Sequence, residues 1–538
     1  MKNRMLLILM VVGLFALTGN AANVKEYQIV PQPQQISYSD GCLKLKKSIS
    51  VAFPSPLSSE ANMLKQYLEQ DFGLRVDLKR AKKSGDIILK LDESLGDKDG
   101  RYVLATDRNI QISAASSDGV FSGIQSLRQM ILPDGEGQLS VQKGVINDFP
   151  AFGWRSFMLD EGRNFKGEKE VKHLLDEMAR LKMNVFQWHL TDDQGWRLEI
   201  KKYPKLTEIG AYRDSTEIGG WYSNKFDTNP HYGFYTQEKA KEIIAYAKER
   251  HITIVPEIEM PGHASAAIAS YTWLGSIGKP IKTLCSFGTE LDIYNVADPK
   301  VIQFLDDVIA EVAALFPGPV IHIGGDEVHF SMWEQSPSIC NYVKSHGLNS
   351  MAELQVEFTN NMSNYVVGKG KRMMGWNDIT GSKLHDYNED VADASNTRRL
   401  ADGTIVQFWK GDIGLIKETA QKGYDIVNSN NVLTYLDYGY DNISLSKAYS
   451  FNPIPDDLPA NLHNKILGCG CQLWTEWVNT PEKMNYQVFP RIAAYAECGW
   501  TLPQNKDFDR FKISLDNLLQ IWKEKGISVG PVEDVAKQ

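Results

Sequence analysis

The chain has 538 residues, enough for two or three domains and a large core. A hydrophobic fraction of 43% is that of an ordinary globular protein, and a net charge of -9 leaves no basic footprint for nucleic acid or an anionic membrane. The six cysteines are too sparse for a disulfide scaffold and match no zinc spacing, so core thiols are expected, with one disulfide left open in an oxidising compartment.

The chain opens with basic Lys2 and Arg4, an apolar run over 5–17, and small residues at Gly19-Asn20-Ala21. This pattern predicts a signal peptide over 1–21 and an exported mature chain, most simply periplasmic, starting near Ala22. No cysteine follows closely enough for a lipid anchor. The run is too short for a comfortable membrane span, and no other candidate span follows.

Residues 22–150 read as a small α+β domain. Strands are expected at 86–91 and 110–114, helices at 58–72 and 118–132, and 29–33 is an extended opening. No catalytic constellation appears in it. Pro133-Asp134-Gly135 and Asp148-Phe149-Pro150 mark the exit.

From Trp154 the rhythm changes. Short apolar strands are predicted at 154–160, 183–190, 252–258, 320–324, 372–376, 404–409, 425–428 and 466–474. Helical stretches at 168–182 and 237–250 carry apolar stripes. Eight strand-helix units predict an α/β fold, a (β/α)8 barrel over 151–538, with an amphipathic helix at 508–525 packed outside it. The active site of such a barrel lies at the carboxyl ends of its strands.

Chemistry-bearing residues collect at those ends. In order they are Asp160-Glu161-Gly162-Arg163, then Trp188 to Arg197 with His189, Asp192 and Asp193, then Glu257, Glu259 and His263. The fourth end gives Asp326-Glu327, followed by Trp376, Trp409, Tyr435-Leu436-Asp437 and Trp474-Thr475-Glu476. The fourth strand ends in Gly324-Gly325, which permits the turn that two adjacent carboxylates need to serve one pocket. Any one of these residues has a structural explanation, a hydrogen-bonding histidine or a core tryptophan. Eight coincidences at one rim are harder to explain by packing. Acids among tryptophan walls, with no H-E-x-x-H and the histidines on different strands, favour glycoside chemistry over a metal site.

Three long motifs, His322 to Glu327, Trp188 to Arg197 and Pro256 to His263, resemble those of glycoside hydrolase family 20, the β-N-acetylhexosaminidases. The similarity runs over nearly the whole mature chain, including Pro490-Arg491 and Ala496-Glu497. It implies an exo-acting hydrolase that releases terminal N-acetylhexosamine from β-linked N-acetylglucosamine or N-acetylgalactosamine glycans. It also implies a substrate-assisted retaining mechanism and no cofactor or metal. By motif position Asp326 orients the acetamido N–H, Glu327 is the general acid/base and Tyr435 holds the acetamido carbonyl. Trp376, Trp409 and Trp474 wall the sugar, Arg163 and Glu476 bind ring hydroxyls, Asp437 matches a substrate-contacting acid, and Asp192, Glu259 and His263 form a polar network beside the acid. Glu327 is expected to be protonated at rest, favoured by desolvation and by Asp326. Departures from the family pattern are Glu259 where Asp is commoner, Asn164 after the first-strand arginine, and Asn377-Asp378 for Asp-Glu. A fourth sugar-facing tryptophan after Tyr-Leu-Asp is not evident. The rival readings are a lacto-N-biosidase, which releases a disaccharide, and a sugar-binding protein on a decayed barrel.

Overall fold

The computed structural model describes residues 26–96, 99–288, 292–388 and 392–535. The expected signal peptide lies outside the described residues. The first domain is built on an eight-stranded mixed sheet, richer than the two strands expected from sequence. Its path runs Gln35–Lys44, Leu139–Asp148, Tyr102–Thr106, Ile110–Ala114, Ile87–Leu91, Ser48–Phe53 and Arg75–Arg80, with the short Leu132–Pro133 beside Leu139–Asp148. Helices Ser58–Phe72 and Ser117–Met130 pack on this sheet and carry residues that reach the second domain. His251 lies 3.0 Å from Glu60 and packs at a tilt of 37° on Phe121, and Gln129 Nε2 donates to the Arg180 carbonyl.

Eight parallel strands close the second domain into a barrel: β1 (Trp154–Asp160), β2 (Val185–His189), β3 (Thr253–Glu257), β4 (Val320–His322), β5 (Arg372–Trp376), β6 (Ile405–Phe408), β7 (Asp425–Asn428) and β8 (Ile466–Leu473). Both faces of these strands are covered, so they read as continuous apolar runs. Val185, Val255, Val320, Met374, Ile405 and Val427 form one buried cluster that plugs the amino-terminal end of the barrel. The helices Glu168–Arg180 and Gln237–Glu249 follow β1 and precede β3, each within two residues of the sequence expectation.

The carboxyl-terminal helix Phe508–Glu524 is capped by Asp507, which accepts from the backbone N–H groups of Asp509 and Arg510. It buries Phe511, Leu515, Leu518 and Trp522 against the barrel. Trp522 Nε1 donates to Glu177 at 2.9 Å, and Lys525 pairs with the same carboxylate at 2.6 Å. Its Arg510 pairs with buried Glu497 and donates to the Ile29 carbonyl, so this helix ties the barrel to the first domain. A buried cluster, Asp148 with Lys182 at 3.0 Å and Trp500 Nε1 at 3.0 Å, joins the domains beneath the barrel. All six cysteines are free thiols, so the disulfide left open by the sequence is not formed.

Candidate active site

The turn after β4 sets the site. Gly324 and Gly325 have φ of +66° and +89°. A Cβ on Gly324 would fall on the Glu259 carboxylate, and one on Gly325 would meet Ile379 Cγ2 at 2.5 Å. Glycine is therefore required for conformation and for space. Glu327 itself holds φ +51°, a left-handed conformation that a non-glycine residue adopts only when its surroundings enforce it. The enforcing contact is visible: Glu327 N–H donates to Asp378 Oδ1 at 3.1 Å.

This turn sends the two acids into different surroundings. Asp326 is buried and its Oδ1 has no hydrogen-bond partner among the described residues. Glu327 is 40% exposed and lines an open cleft of about 510 Å³. Burial pushes Asp326 up to about 7, opposed by His263 and reinforced by Asp378 and Glu327. Burial thus bears on Asp326, contrary to the expectation that desolvation would act on Glu327. One imidazole serves both acids, since His263 Nε2 lies 3.6 Å from Asp326 and 3.8 Å from Glu327. Burial opposes a charge on His263, but Asp192, Asp193 and Asp326 together raise it well above its ordinary value.

Beside Asp326 the strand ends supply an aromatic box. Trp376, Trp409, Tyr435 and Trp474 form one buried cluster with Met158. Trp409 and Tyr435 lie nearly parallel at 6.1 Å, and Trp376 meets Trp474 at 5.8 Å. The polar edges of the box are anchored: Trp376 Nε1 donates to Glu257 at 2.8 Å, and Trp409 Nε1 to Asp378 at 2.8 Å. Burial raises Tyr435 far above its usual value, which keeps the phenol neutral and able to donate.

At the opposite rim Arg163 sits over the Trp474 ring at 4.9 Å and pairs with Asp192 at 2.9 Å. Arg163 and Glu476 both line the cleft. Burial pushes Glu476 up to about 7 against the attraction of Arg163. Asp437, raised by burial and by Glu476, keeps Oδ1 without a hydrogen-bond partner among the described residues.

Two residues of the expected polar network beside the acid lie behind that surface. Asp192 is buried and bound to Arg163, to His189 Nε2 at 2.8 Å and to His263 Nδ1 at 3.3 Å. Glu259 is buried with neither carboxylate oxygen hydrogen-bonded among the described residues. Burial, with Asp326 and Glu257, raises it well above the carboxylate range, so it is held neutral. Asp192 thus holds Arg163 and His263, and the Glu259 carboxylate lies against the Gly324 turn.

Several residues to which the sequence assigns no role belong to the site. Glu257 takes Trp376 Nε1 on one oxygen and Gln187 Nε2 on the other, and lies 3.3 Å from His189. Burial opposes the charge of His189, yet Glu257 and Asp192 hold it at about 10. Asp378 gathers three donors, Trp409 Nε1, Glu327 N–H and His385 Nε2 at 2.6 Å, and Lys410 backs His385 at 3.1 Å. Buried Arg491 donates to the carbonyls of Leu436, Tyr438 and Ile443, clamping the loop that carries Tyr435 and Asp437. The available signal was a charged residue inside an otherwise apolar stretch, as at Glu257 and Arg491. The fold also converges groups that sequence spacing kept apart: His189, Glu257 and Glu259 form one potential ligand set, and Asp192, Asp193 and His263 another, each within 4.8 Å.

Residues 152–503 match the family model described as glycosyl hydrolase family 20, catalytic domain, and residues 26–149 the one described as glycosyl hydrolase family 20, domain 2. A beta-hexosaminidase of Porphyromonas gingivalis is 35% identical over 516 residues, covering 92% of this chain, which in turn spans 63% of that protein. The structure of an exo beta-N-acetylglucosaminidase from Vibrio harveyi in complex with N-acetylglucosamine superimposes with a TM-score of 0.80 at 32% identity, over 94% of this chain and 78% of the other. A beta-N-acetylhexosaminidase from Bacteroides fragilis superimposes with a TM-score of 0.79 at 30% identity, over 94% and 97%. With its catalytic barrel and its preceding domain both matched, the chain belongs to glycosyl hydrolase family 20.

Proposed function

We propose that the protein is an exo-acting β-N-acetylhexosaminidase that works through its substrate's own acetamido group. The observation that carries this reading is the split environment of the two adjacent acids. One is buried beside a closed aromatic box with an acceptor oxygen unused, and the other faces the open cleft. In this reading the acetamido carbonyl oxygen attacks the anomeric carbon as the glycosidic C–O bond breaks. The leaving oxygen keeps the bonding pair and takes the proton of Glu327. The resulting oxazolinium places its N–H on Asp326, while Tyr435 orients the carbonyl and the tryptophans exclude water. A water then attacks the anomeric carbon, Glu327 accepts its proton, and the carbonyl reforms with retained configuration.

The test is hydrolysis of p-nitrophenyl N-acetyl-β-D-glucosaminide together with a glycan panel read by mass spectrometry. Loss of single terminal N-acetylhexosamines is expected. Release of a disaccharide would assign the chain to the lacto-N-biosidase reading, and no release at all to the binding-protein reading. From the amino-terminal pattern at Lys2 to Ala21 we also infer export to the periplasm, which cell fractionation would check.

Two further outcomes follow from the geometry. Asp378→Asn keeps the shape of the side chain but weakens its hold on Glu327 and Trp409. It should lower kcat/KM by about tenfold or more, within the roughly 10²-fold that misplacing a catalytic group costs. An unchanged rate would remove Asp378 from the site. Dialysis against EDTA should leave the rate unchanged, because the histidine of each potential ligand set already holds a carboxylate, His189 that of Asp192 and His263 that of Asp193. A loss restored by zinc or calcium would overturn this.

A further inference from the structure

We propose that His385 and Lys410 are positioning residues for the general acid. Lys410 keeps the His385 ring neutral and in one tautomer, and the single N–H of that ring fastens the Asp378 carboxylate between the Glu327 turn and the Trp409 wall. The proposal rests on the hexosaminidase reading, in which Glu327 is the acid, and adds two residues that act on it through Asp378.

Asp378 offers two oxygens to three donors. Its Oδ2 accepts from Trp409 Nε1 at 2.8 Å, while Oδ1 accepts from the Glu327 N–H at 3.1 Å and from His385 Nε2 at 2.6 Å. The other ring nitrogen, His385 Nδ1, lies 3.1 Å from Lys410 Nζ. A lysine ammonium has donors and no acceptor, so Nδ1 must present its lone pair. The imidazole is then neutral, with its one proton on Nε2 and directed at Asp378. The other tautomer, or a second proton on the ring, would set an N–H against the ammonium. Asp378 and Lys410 thus polarise the ring in the same sense from opposite sides. Because the imidazole brings no charge of its own, Asp378 keeps its full charge for the donors of Glu327 and Trp409.

These side chains close a circuit on a joint between two strands. Asn377 and Asp378 follow β5, and Trp409 and Lys410 follow β6. Asn377 Oδ1 accepts from the Trp409 N–H at 2.9 Å, and its Nδ2 donates to the Lys410 carbonyl at 2.9 Å. With the two strand ends fastened, Asp378 reaches Trp409, Lys410 reaches His385, and His385 returns to Asp378. Lys410 Nζ also lies over the Trp409 ring at 5.2 Å, and the buried His385 ring is 6.0 Å from the same indole. A carboxylate turns readily about its last torsion. Here such a turn would break the bonds to Glu327 and to Trp409 together, and the short bond from His385 opposes it. One contact thereby sets the left-handed backbone of the acid and one wall of the box in register.

The experiment joins kinetics on N,N'-diacetylchitobiose to the state of the ring itself. His385→Leu should lower kcat/KM by about tenfold, within the roughly 10²-fold that misplacing a catalytic group costs. His385→Gln, which keeps an N–H donor near the place of Nε2, should recover most of that loss. Lys410→Met should lower kcat/KM by about threefold, the smaller effect of an indirect contact, and Lys410→Arg should restore it, since arginine is also a donor-only cation. The nitrogen NMR spectrum of histidine-labelled protein, assigned by the signals lost in His385→Gln, should show His385 protonated on Nε2 alone in wild type. In Lys410→Met a proton should appear on Nδ1. A wild-type ring protonated on Nδ1 would overturn the proposal, as would wild-type turnover in His385→Leu. A loss in His385→Leu that glutamine fails to recover would reduce His385 to packing and overturn it as well. The ring signals do not depend on turnover. A wild-type protein that shows the Nε2 proton and cleaves no N-acetylhexosaminide would therefore fail the hexosaminidase reading, and the positioning role with it, while an active protein indifferent to these substitutions would fail the proposal alone.

Discussion

Glu327→Gln should abolish most turnover on oligosaccharides while leaving the fold and substrate binding intact. A general acid contributes roughly 10²- to 10⁴-fold, so kcat should fall within that range. The substitution tests chemistry and not folding, because glutamine meets the same φ of +51° and keeps the backbone donation to Asp378. Its side chain is exposed enough that no buried charge is left unpaired. The melting temperature should therefore match wild type. The loss should also depend on the leaving group. A poor leaving oxygen needs the proton, whereas p-nitrophenolate departs without it, so the deficit on the first step should shrink for the aryl glycoside. Turnover near wild type on an oligosaccharide would remove Glu327 from the acid role.

The barrel was legible because its strands are covered on both faces. Each reads as an apolar run, and all eight were found to within two residues at either end. The sheet of the first domain is less legible, with two of its eight strands expected from sequence. Gln35–Lys44 is largely exposed and its register shifts between Tyr38 and Cys42, while Arg75–Arg80 keeps only Val76 buried. Both stretches alternate, Ile36 and Tyr38 in the first and Val76 and Leu78 in the second, but over so few positions that the two-residue period is a weak signal. In the site, residues immediately after a strand were visible because barrel topology brings all strand ends to one rim. What supports them was not. Asp378 reads as one more acid until His385, Trp409 and the backbone of Glu327 are seen to converge on it. Arg491 lies 56 positions beyond Tyr435, and although its apolar surroundings mark it as buried, nothing local names the loop it holds. Desolvation and Asp326 are both expected to favour a proton on Glu327. The left-handed turn at Glu327 gives the neighbours separate surroundings instead, so burial acts on the first acid and the second meets solvent.

That separation leads to the largest expected effect. Replacing the substrate's 2-acetamido group by a hydroxyl should lower kcat/KM by about 10³-fold or more, the loss of an oriented intramolecular nucleophile. No enzyme carboxylate stands ready to replace it. Asp326 is buried with Oδ1 unused, and in the proposed mechanism that oxygen accepts the acetamido N–H. Asp326→Asn should cost more than Tyr435→Phe. The first removes the negative charge opposite the developing oxazolinium in a site where burial makes that charge count. The second removes one orienting hydrogen bond and leaves both the attacking atom and the Trp409 stack in place. The order also follows from the pocket's own electrostatics. Asp326, already held up to about 7 by burial and by Asp378, has its ionised form favoured when a cation forms beside it, and this differential stabilisation is what lowers the barrier. The measurement compares p-nitrophenyl β-glucoside with the N-acetylglucosaminide in wild type and both variants. Equal rates on the two glycosides, or a sugar trapped covalently on an enzyme carboxylate, would return the chain to the two-carboxylate retaining mechanism, with Asp326 as the nucleophile.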